Sequence, residues 1–186
     1  EEHQRTLKSQ VIAEQFARIA KMDLNVTVEK VGESTHWRTR AIATTNKDGK
    51  LGFYKSRSHT VAPVTDCIIC VDTIKFAELS QKSLKPHTRV EVSVSNTGER
   101  TVALASKEGQ QRARVTEGPA ILHEKVLNRV VEVSHESFWQ SHKDAPEVLT
   151  KAVLEFAAFK PGDHVLDLYG GVGLFTAAIL DAVGQS

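Results

Sequence analysis

The spacing of apolar residues changes twice along the chain, and each change predicts a different kind of structure. Over residues 6–20, apolar side chains recur at helical spacing and form one stripe, with Thr6 as a candidate cap. We expect this helix to be an arm that lies on a later element, because its stripe needs a packing partner. Across residues 25–133 the apolar period shifts towards two, as in strands, and helical spacing returns after Asp144.

The middle region predicts a mainly antiparallel sheet, because its alternating runs are separated by short polar turns. Turn chemistry is strongest at residues 46–49, Asn-Lys-Asp-Gly, and at residues 96–99, Asn-Thr-Gly-Glu. A short helix is predicted over residues 73–80. The predicted strands cover 36–45, 51–54, 60–64, 89–95, 101–105, 111–116 and 120–133, the last with a break near Asn128. This combination is typical of an α+β domain.

The C-terminal region predicts the start of an α/β domain. Asp144 can cap a helix, with Pro146 in its first turn and Glu147 completing a capping box. The short apolar segment 164–168 then predicts a strand of the kind that is buried in parallel sheets. A glycine-rich turn separates this strand from a second helix, which is predicted over residues 174–183.

The glycine-rich turn, residues 169–173, is a candidate cofactor site. Gly171 and Gly173 let the backbone approach a ligand, and the N-terminus of the following helix presents N–H groups to it. A dinucleotide site would need a third glycine where this chain has Thr176. Asp167, ahead of the glycine pair, suits the aminoacyl part of S-adenosylmethionine, which carries an ammonium and no pyrophosphate. A tight turn without a ligand is the alternative.

A second candidate is Gln140, in the sequence Phe-Trp-Gln just before the capped helix. A glutamine side chain both donates and accepts hydrogen bonds, so it can bind a base edge or a cofactor. The alternative is a linker residue that faces water.

Bulk composition constrains function weakly. The chain has 186 residues, of which 40% are hydrophobic and 25% charged, and a net charge of +1, which is ordinary for a globular protein. Its apolar runs are too short to span a bilayer, and its first residues do not form a signal peptide. We therefore expect a cytoplasmic protein with no membrane partner.

Local charge is more informative, because residues 36–59 hold six Lys and Arg residues against a single acid. Arg38 and Arg40 alternate on one face of the predicted strand, and three aromatic residues, Phe53 among them, are interleaved with the basic ones. Guanidinium groups pair with phosphates and aromatic rings stack on unpaired bases, so the segment predicts RNA binding. A solvated basic face of a sheet is the alternative.

The two cysteines, Cys67 and Cys70, form one Cys-x-x-Cys pair, which is half of a zinc or iron–sulfur ligand set. The sequence contains no second pair, and apolar residues surround this one. We therefore expect two small buried residues and no metal site, and an iron–sulfur role would need ligands outside this chain.

Taken in order, the motifs resemble those of the S-adenosylmethionine-dependent RNA 5-methyluridine (uracil-5) methyltransferases. The matching segments are 37–40 (Trp-Arg-Thr-Arg), 52–55 (Gly-Phe-Tyr-Lys), 59–67, 138–142 (Phe-Trp-Gln-Ser-His) and 165–175. The glycine motif alone is common to many methyltransferases. Its combination with Phe-x-Gln about thirty residues upstream and with the Arg-rich strand is much more specific.

The resemblance implies an α+β central domain with a mainly antiparallel sheet, followed by the first helix-strand-helix of a Rossmann-like α/β methyltransferase domain. The implied division is an N-terminal helical arm and first strand at 1–35, an RNA-binding domain at 36–134 and an incomplete catalytic domain at 135–186. The implied activity transfers a methyl group to carbon 5 of a uridine in tRNA or rRNA. A non-catalytic RNA-binding module is the alternative.

The resemblance also implies where the chemistry lies. The family uses a cysteine that attacks carbon 6 of uracil and a carboxylate that helps to remove the carbon 5 proton, and we expect both beyond the C-terminus. The chain alone should therefore be inactive, and its half-domain should favour a homodimer. The candidate cofactor-binding residues are Gln140, Asp167, Tyr169, Gly171 and Gly173, and the candidate RNA-binding residues are Arg38, Arg40, Phe53, Lys55 and Arg57.

Overall fold

The computed structural model describes residues 1–106 and 112–184, in two compact units that divide between Ser34 and Thr35. The start of the strand predicted at 111–116 lies outside the described residues. Within the described ranges, no helix is long and apolar enough to cross a membrane.

The first unit is built on one helix, α1 (Glu2–Gln15), which continues as a π-helical turn (Phe16–Ala20). The predicted helix is confirmed, but it begins before Thr6, which does not cap it. The Thr6 hydroxyl instead donates to the carbonyl of Glu2 within the helix at 3.2 Å. The chain leaves the helix at Lys21, whose φ of 58° is left-handed.

The apolar stripe of α1 is exposed, with side chains between 37% and 72% accessible at Leu7, Val11, Ile12, Phe16 and Ile19. The segment after the helix returns to it at one point, where the backbone N–H of Val28 donates to the hydroxyl of Ser9 at 2.9 Å. The packing partner that the stripe was predicted to need is therefore not supplied within the first unit.

The second unit is organised by a six-stranded sheet, in which all neighbouring strands are antiparallel. Its strands are β1 (Arg40–Thr45), β2 (Leu51–Tyr54), β3 (Val61–Pro63), β4 (Thr88–Val94), β5 (Arg100–Ser106) and β6 (Arg114–Glu117), in the order β3-β2-β1-β4-β5-β6. The predicted antiparallel sheet is confirmed, although β1 begins four residues later than predicted. A 3-10 turn (Asp72–Ile74) and helix α2 (Phe76–Ser80) confirm the short helix and cover one face of the sheet.

A hairpin of β7 (Ile121–Val126) and β8 (Arg129–Ser134) follows as a separate two-stranded sheet, with the predicted break at its turn. The β4–β5 turn docks on this hairpin through side chains. The Asn96 amide donates to the carbonyl of Lys125 at 2.7 Å and accepts from its N–H at 2.8 Å, as a neighbouring strand would. Hydrogen bonds from the backbone and side chain of His123 lower the pKa of Glu99 in the same turn.

Two helices complete the second unit, α3 (Ala145–Ala157) and α4 (Leu174–Val183). Helix α4 has the predicted bounds, and it packs on the hairpin rather than on the large sheet. Their shared core contains Val126, Val131, Val133, Trp139 and Leu174. A surface ion pair between Arg129 and Asp181, with N–O distances of 2.9 and 2.5 Å, reinforces the contact. The hairpin therefore shares a core with the segment predicted to begin the catalytic domain.

Two local predictions in this region are wrong. Residues 164–168 do not form a strand, and Leu166 and Leu168 are 85% and 75% exposed. A strand needs a hydrogen-bonded neighbour, and no strand among the described residues pairs with this segment. The capping box is also absent, because Asp144 makes no side-chain cap bond and Glu147 binds Lys151 at 2.5 Å instead. Pro146 does lie in the first turn, as predicted.

Candidate functional site

Two motifs about a hundred residues apart in the sequence meet in one ribbon of extended chain. Segment 36–39 lies between segment 68–71 on one side and segment 141–143 on the other. The N–H of Thr39 donates to the carbonyl of Ser141 at 2.8 Å, and the N–H of Lys143 donates to the carbonyl of Trp37 at 2.9 Å. The Trp-Arg-Thr-Arg and Phe-Trp-Gln-Ser-His motifs are therefore parts of a single structural unit.

Aromatic packing strengthens this ribbon. The rings of Trp37 and His142 stack with centroids 5.3 Å apart and planes inclined by 13°. The guanidinium of Arg38 lies over the ring of its neighbour Trp37, 5.4 Å from the centroid of that ring. Trp139, within the Phe-Trp-Gln-Ser-His motif, is 4% exposed and joins the core shared by the hairpin and α4. Gln140 is held directly between these anchored residues.

A cavity of about 430 Å³ lies between this anchored segment and the glycine-rich turn. The structure brings Gln140 together with Asp167, Tyr169 and Gly171 around this cleft, although 27 positions separate Gln140 from Asp167 in the sequence. The other residues that line the cleft are Ser137, Phe138, Trp139, Leu168, Gly170, Val172, Leu174 and Phe175. Gly173 is not in contact with the cleft, and it lies at the N-cap of α4 with a φ of 84°.

The shape of the turn depends on glycine. Gly171 has a φ of 58°, and Tyr169 shares this left-handed conformation with a φ of 63°, which is uncommon for a residue with a side chain. A Cβ atom on Gly170 would lie 3.0 Å from a carboxylate oxygen of Asp167. Glycine at this position therefore lets the Asp167 carboxylate fold over the turn.

Asp167 is held in place from the following helix. The hydroxyl of Thr176 donates to its carboxylate at 2.5 Å. Thr176, which stands where a dinucleotide motif has its third glycine, therefore orients Asp167. The cleft thus combines one carboxylate, one amide and exposed glycine backbone with the aromatic rings of Phe138 and Tyr169. This is a set that can hold an ammonium or hydroxyl at one end and an aromatic base at the other.

Sequence reasoning missed Phe138, Phe175 and Thr176 as parts of the site. Phe138 is 79% exposed at the cleft, and its position immediately before Trp139 and Gln140 was the available signal. Thr176 could have been found from helical spacing, because it lies in the first turn of α4, directly after the glycine motif.

The residues predicted to bind RNA fall into two groups. Lys55 and Arg57 are exposed in the turn between β2 and β3. The ring of Phe53 instead faces inward and stacks on Phe76 with centroids 5.4 Å apart, while Tyr54, the next residue, is 51% exposed. Because successive side chains of β2 point to opposite faces of the sheet, Tyr54, and not Phe53, is the ring that could stack on a base.

Arg38 and Arg40 are half-buried in the ribbon. A guanidinium nitrogen of Arg40 donates to the carbonyl of Ser137 at 2.6 Å. The Nε atoms of both arginines and Nη2 of Arg40 are buried without a hydrogen-bond partner among the described residues. Neither head group therefore extends freely into solvent.

The cysteine pair lies away from the cleft. Cys70 is 3% exposed and packs in the core of the large sheet, whereas Cys67 is half-buried beside it. Burial raises the pKa of Cys70 to about 12, and the hydrogen bond that its thiol donates to Cys67 contributes to the increase. In the part of the chain that the structure describes, no group of three or more His, Cys, Asp or Glu side chains could hold a metal ion.

Comparison with known proteins places this site in context. No protein-family model matches the chain. A Streptomyces avermitilis protein named an uncharacterized RNA methyltransferase is 30% identical over 98% of the chain, and a Corynebacterium diphtheriae protein with the same kind of name is 32% identical over 95%. The chain covers 50% and 46% of these proteins, so it spans about half the length of the curated relatives it matches.

Among solved structures, the crystal structure of Pyrococcus abyssi tRNA (uracil-54, C5)-methyltransferase in complex with S-adenosyl-L-homocysteine is similar in fold. The TM-score is 0.69 over 95% of this chain and 54% of that one, at 16% identity. The likeness confirms a mixed α and β fold with an antiparallel sheet. As the order of its motifs predicted, the chain belongs to the same family as the RNA methyltransferases that it matches in sequence.

Proposed function

We propose that this chain is part of an S-adenosylmethionine-dependent enzyme that methylates carbon 5 of a uridine in tRNA or rRNA. The cleft carries the proposal, because it brings Gln140 to the glycine turn and the Asp167 carboxylate. Two further observations support it: the relatives are named RNA methyltransferases, and the structural neighbour is a uracil-C5 enzyme in complex with S-adenosyl-L-homocysteine.

The residues of the cleft fit this cofactor. When bound, S-adenosylmethionine supplies the electrophilic methyl group. Asp167, oriented by Thr176, would bind the ammonium or a ribose hydroxyl, and the backbone at Gly171 would allow close approach. The rings of Phe138 and Tyr169 would enclose the adenine.

Binding of S-adenosyl-L-homocysteine to the chain tests the cleft. We expect weak binding, with a dissociation constant of about 1 mM, because Leu168 and Tyr169, which line the cleft, are open to solvent. In a titration followed by NMR, the shifted amides should be confined to residues 138–140 and 167–175. Asp167→Asn should weaken binding roughly tenfold, because it removes a charge-assisted hydrogen bond.

Asp163→Asn is the matched control for that titration. Asp163 is a nearby exposed acid that accepts a hydrogen bond from the N–H of Lys160 and does not line the cleft. Its replacement should leave the affinity unchanged. Shifts that are absent at millimolar ligand, or that map to the large sheet instead, would contradict the assignment of the cleft.

The exposed cations of the β2–β3 turn test the RNA part of the proposal. We expect Lys55→Ala combined with Arg57→Ala to weaken binding of a single-stranded uridine-rich RNA. The slope of log K against log salt concentration should fall by about 1.4, since each lost phosphate contact on a single strand contributes about 0.7. Fluorescence anisotropy over a range of salt concentrations measures both quantities.

Lys151→Ala combined with Lys160→Ala also removes two positive charges, but in and just after α3, and serves as the control. Both lysines are exposed, so this variant should keep the parent salt slope. If the two double variants lose the same slope, RNA is attracted by net charge alone and the β2–β3 turn is not a specific contact.

The alternative function, an RNA-binding module without catalysis, is favoured by one observation, the absence of strand structure at 164–168. The two titrations separate the candidates, because the module would bind RNA through Lys55 and Arg57 and show no response of the cleft to the cofactor product. We propose a cytoplasmic location for either, which fractionation of the source cells tests.

A further inference from the structure

Arg40 connects the large sheet to the wall of the cleft. It is the first residue of β1, where it pairs with Ser93 of β4, and its backbone is therefore fixed by the sheet. Its side chain crosses to the segment that precedes Gln140 and donates to the carbonyl of Ser137 at 2.6 Å. A single guanidinium thus spans the distance between the sheet and the Gln140 segment.

The environment of this guanidinium is buried rather than solvent-facing. Burial lowers the pKa of Arg40, and the charge of Glu124 partly offsets that effect. Glu124 lies on β7 and is 4% exposed, and its carboxylate accepts from the backbone N–H of Asn96 at 3.2 Å. Nε and Nη2 of Arg40 are also buried, without a hydrogen-bond partner among the described residues. A guanidinium committed in this way is poorly placed to meet an RNA phosphate.

The Gln140 segment has few other attachments on its N-terminal side. Ser141 and Lys143 are tied to the ribbon by backbone hydrogen bonds, and Trp139 is anchored in the hairpin core. Ser137 is held by a backbone bond from its N–H to the carbonyl of Ser134 and by Arg40. Arg40 is therefore the side chain that attaches the start of this segment, at Ser137, to the large sheet.

We propose that Arg40 is a positioning residue for the cofactor cleft, in place of an RNA contact, and that it fixes the segment which presents Gln140. The proposal rests on the proposed function, since the cleft must receive the cofactor for the position of Gln140 to matter. The basic residues of this region then have two different roles. Arg40 positions the Gln140 segment inside the protein, whereas Lys55 and Arg57 are available to RNA at the surface.

Amide hydrogen exchange measured by NMR without any ligand tests the positioning role. Arg40→Lys keeps the charge but loses the planar fork of donors, and Arg40→Gln also loses the charge. In both variants we expect the amides of Ser137 and Lys143 to exchange roughly tenfold to a hundredfold faster, because a charge-assisted hydrogen bond that closes this segment is lost. The amides of β4 and β5 should keep their parent rates, which shows that the sheet is folded.

Arg57→Lys is the matched control, because it makes the same chemical change at an exposed arginine and should alter none of these rates. Salt dependence of RNA binding supplies a readout that a structural role does not move. For Arg40→Gln the slope of log K against log salt should equal that of the parent chain, whereas a lost phosphate contact would lower it by about 0.7. A lower slope, or unchanged exchange at Ser137 and Lys143 in both Arg40 variants, overturns the proposal.

Failure of the cleft assignment has a different signature. In that case S-adenosyl-L-homocysteine shifts no resonance of Gln140 in the parent chain, while Arg40→Lys still accelerates exchange at Ser137. The hydrogen bond from Arg40 would then still fix the segment to the sheet, but the role of Arg40 in positioning Gln140 for the cofactor would be lost.

Discussion

Incubated with labelled S-adenosylmethionine and unmodified tRNA or rRNA, the 186-residue chain should incorporate no label above a protein-free background. The proposed chemistry needs a thiolate beside the cleft, and neither cysteine lines it. Burial raises the pKa of Cys70 to about 12, so its thiol is protonated at pH 8. Its position in the core of the sheet also excludes a nucleic-acid base.

Cys67→Ser and Cys70→Ser make this result interpretable. Both variants should show the same background as the parent chain, and an active uracil-5 methyltransferase added to the same RNA should incorporate label. Turnover by the parent chain that disappears in Cys67→Ser would mean that the cysteine pair is catalytic and that its distance from the cleft is not maintained in solution.

We expect the chain to form a homodimer through the exposed apolar side chains of α3 and of segment 164–168. Large apolar side chains there are open to water, with Phe156 87% and Leu166 85% exposed. Pairing of two copies would bury these faces at about 25 cal/mol per Å² and would supply segment 165–168 with a neighbouring strand. A two-fold dimer is the commonest closed arrangement.

Light scattering coupled to gel filtration measures this directly, and the expected mass is about twice the 20.5 kDa of one chain. Phe156→Glu combined with Leu166→Glu should give a monomer. Ile19→Glu is the control, since Ile19 is 72% exposed in the π-helical turn that follows α1, and its replacement should leave the dimer intact. A parent chain that is monomeric, or a dimer that only Ile19→Glu dissociates, would rule out this interface.

Local signals in the sequence predicted much of the architecture. Turn residues and alternating apolar positions located β2 and the β7–β8 break, and helical spacing located α4 at its observed bounds. These elements depend on hydrogen bonds and side-chain periods within a few residues, so the information for them lies in adjacent positions. Local chemistry also marked the glycine turn, Asp167 and Gln140 as candidates, whereas Tyr169 was proposed only through the resemblance to a known family. That Gln140 and Asp167 line the same cleft became visible only in the structure.

Other features depend on which neighbours the fold supplies. A period of two does not state which face of a strand will be covered, so only α2 decided that Phe53 packs inward and Tyr54 faces out. Segment 164–168 has the composition of a buried strand, yet it is not a strand because its backbone lacks a paired neighbour among the described residues.

The sequence by itself determined the local elements and the order of the motifs, while the tertiary structure decided what those motifs do for one another. In the sequence, Arg40 belongs to a basic segment of the kind that binds RNA. In the structure, segment 36–39 pairs with segment 141–143, and the guanidinium of Arg40 is directed towards Ser137. That pairing joins residues about a hundred positions apart, and its backbone hydrogen bonds leave no periodic trace in either segment. Long-range contacts of this kind are chosen by the packing of the whole unit, and so the role of Arg40 became visible only in three dimensions.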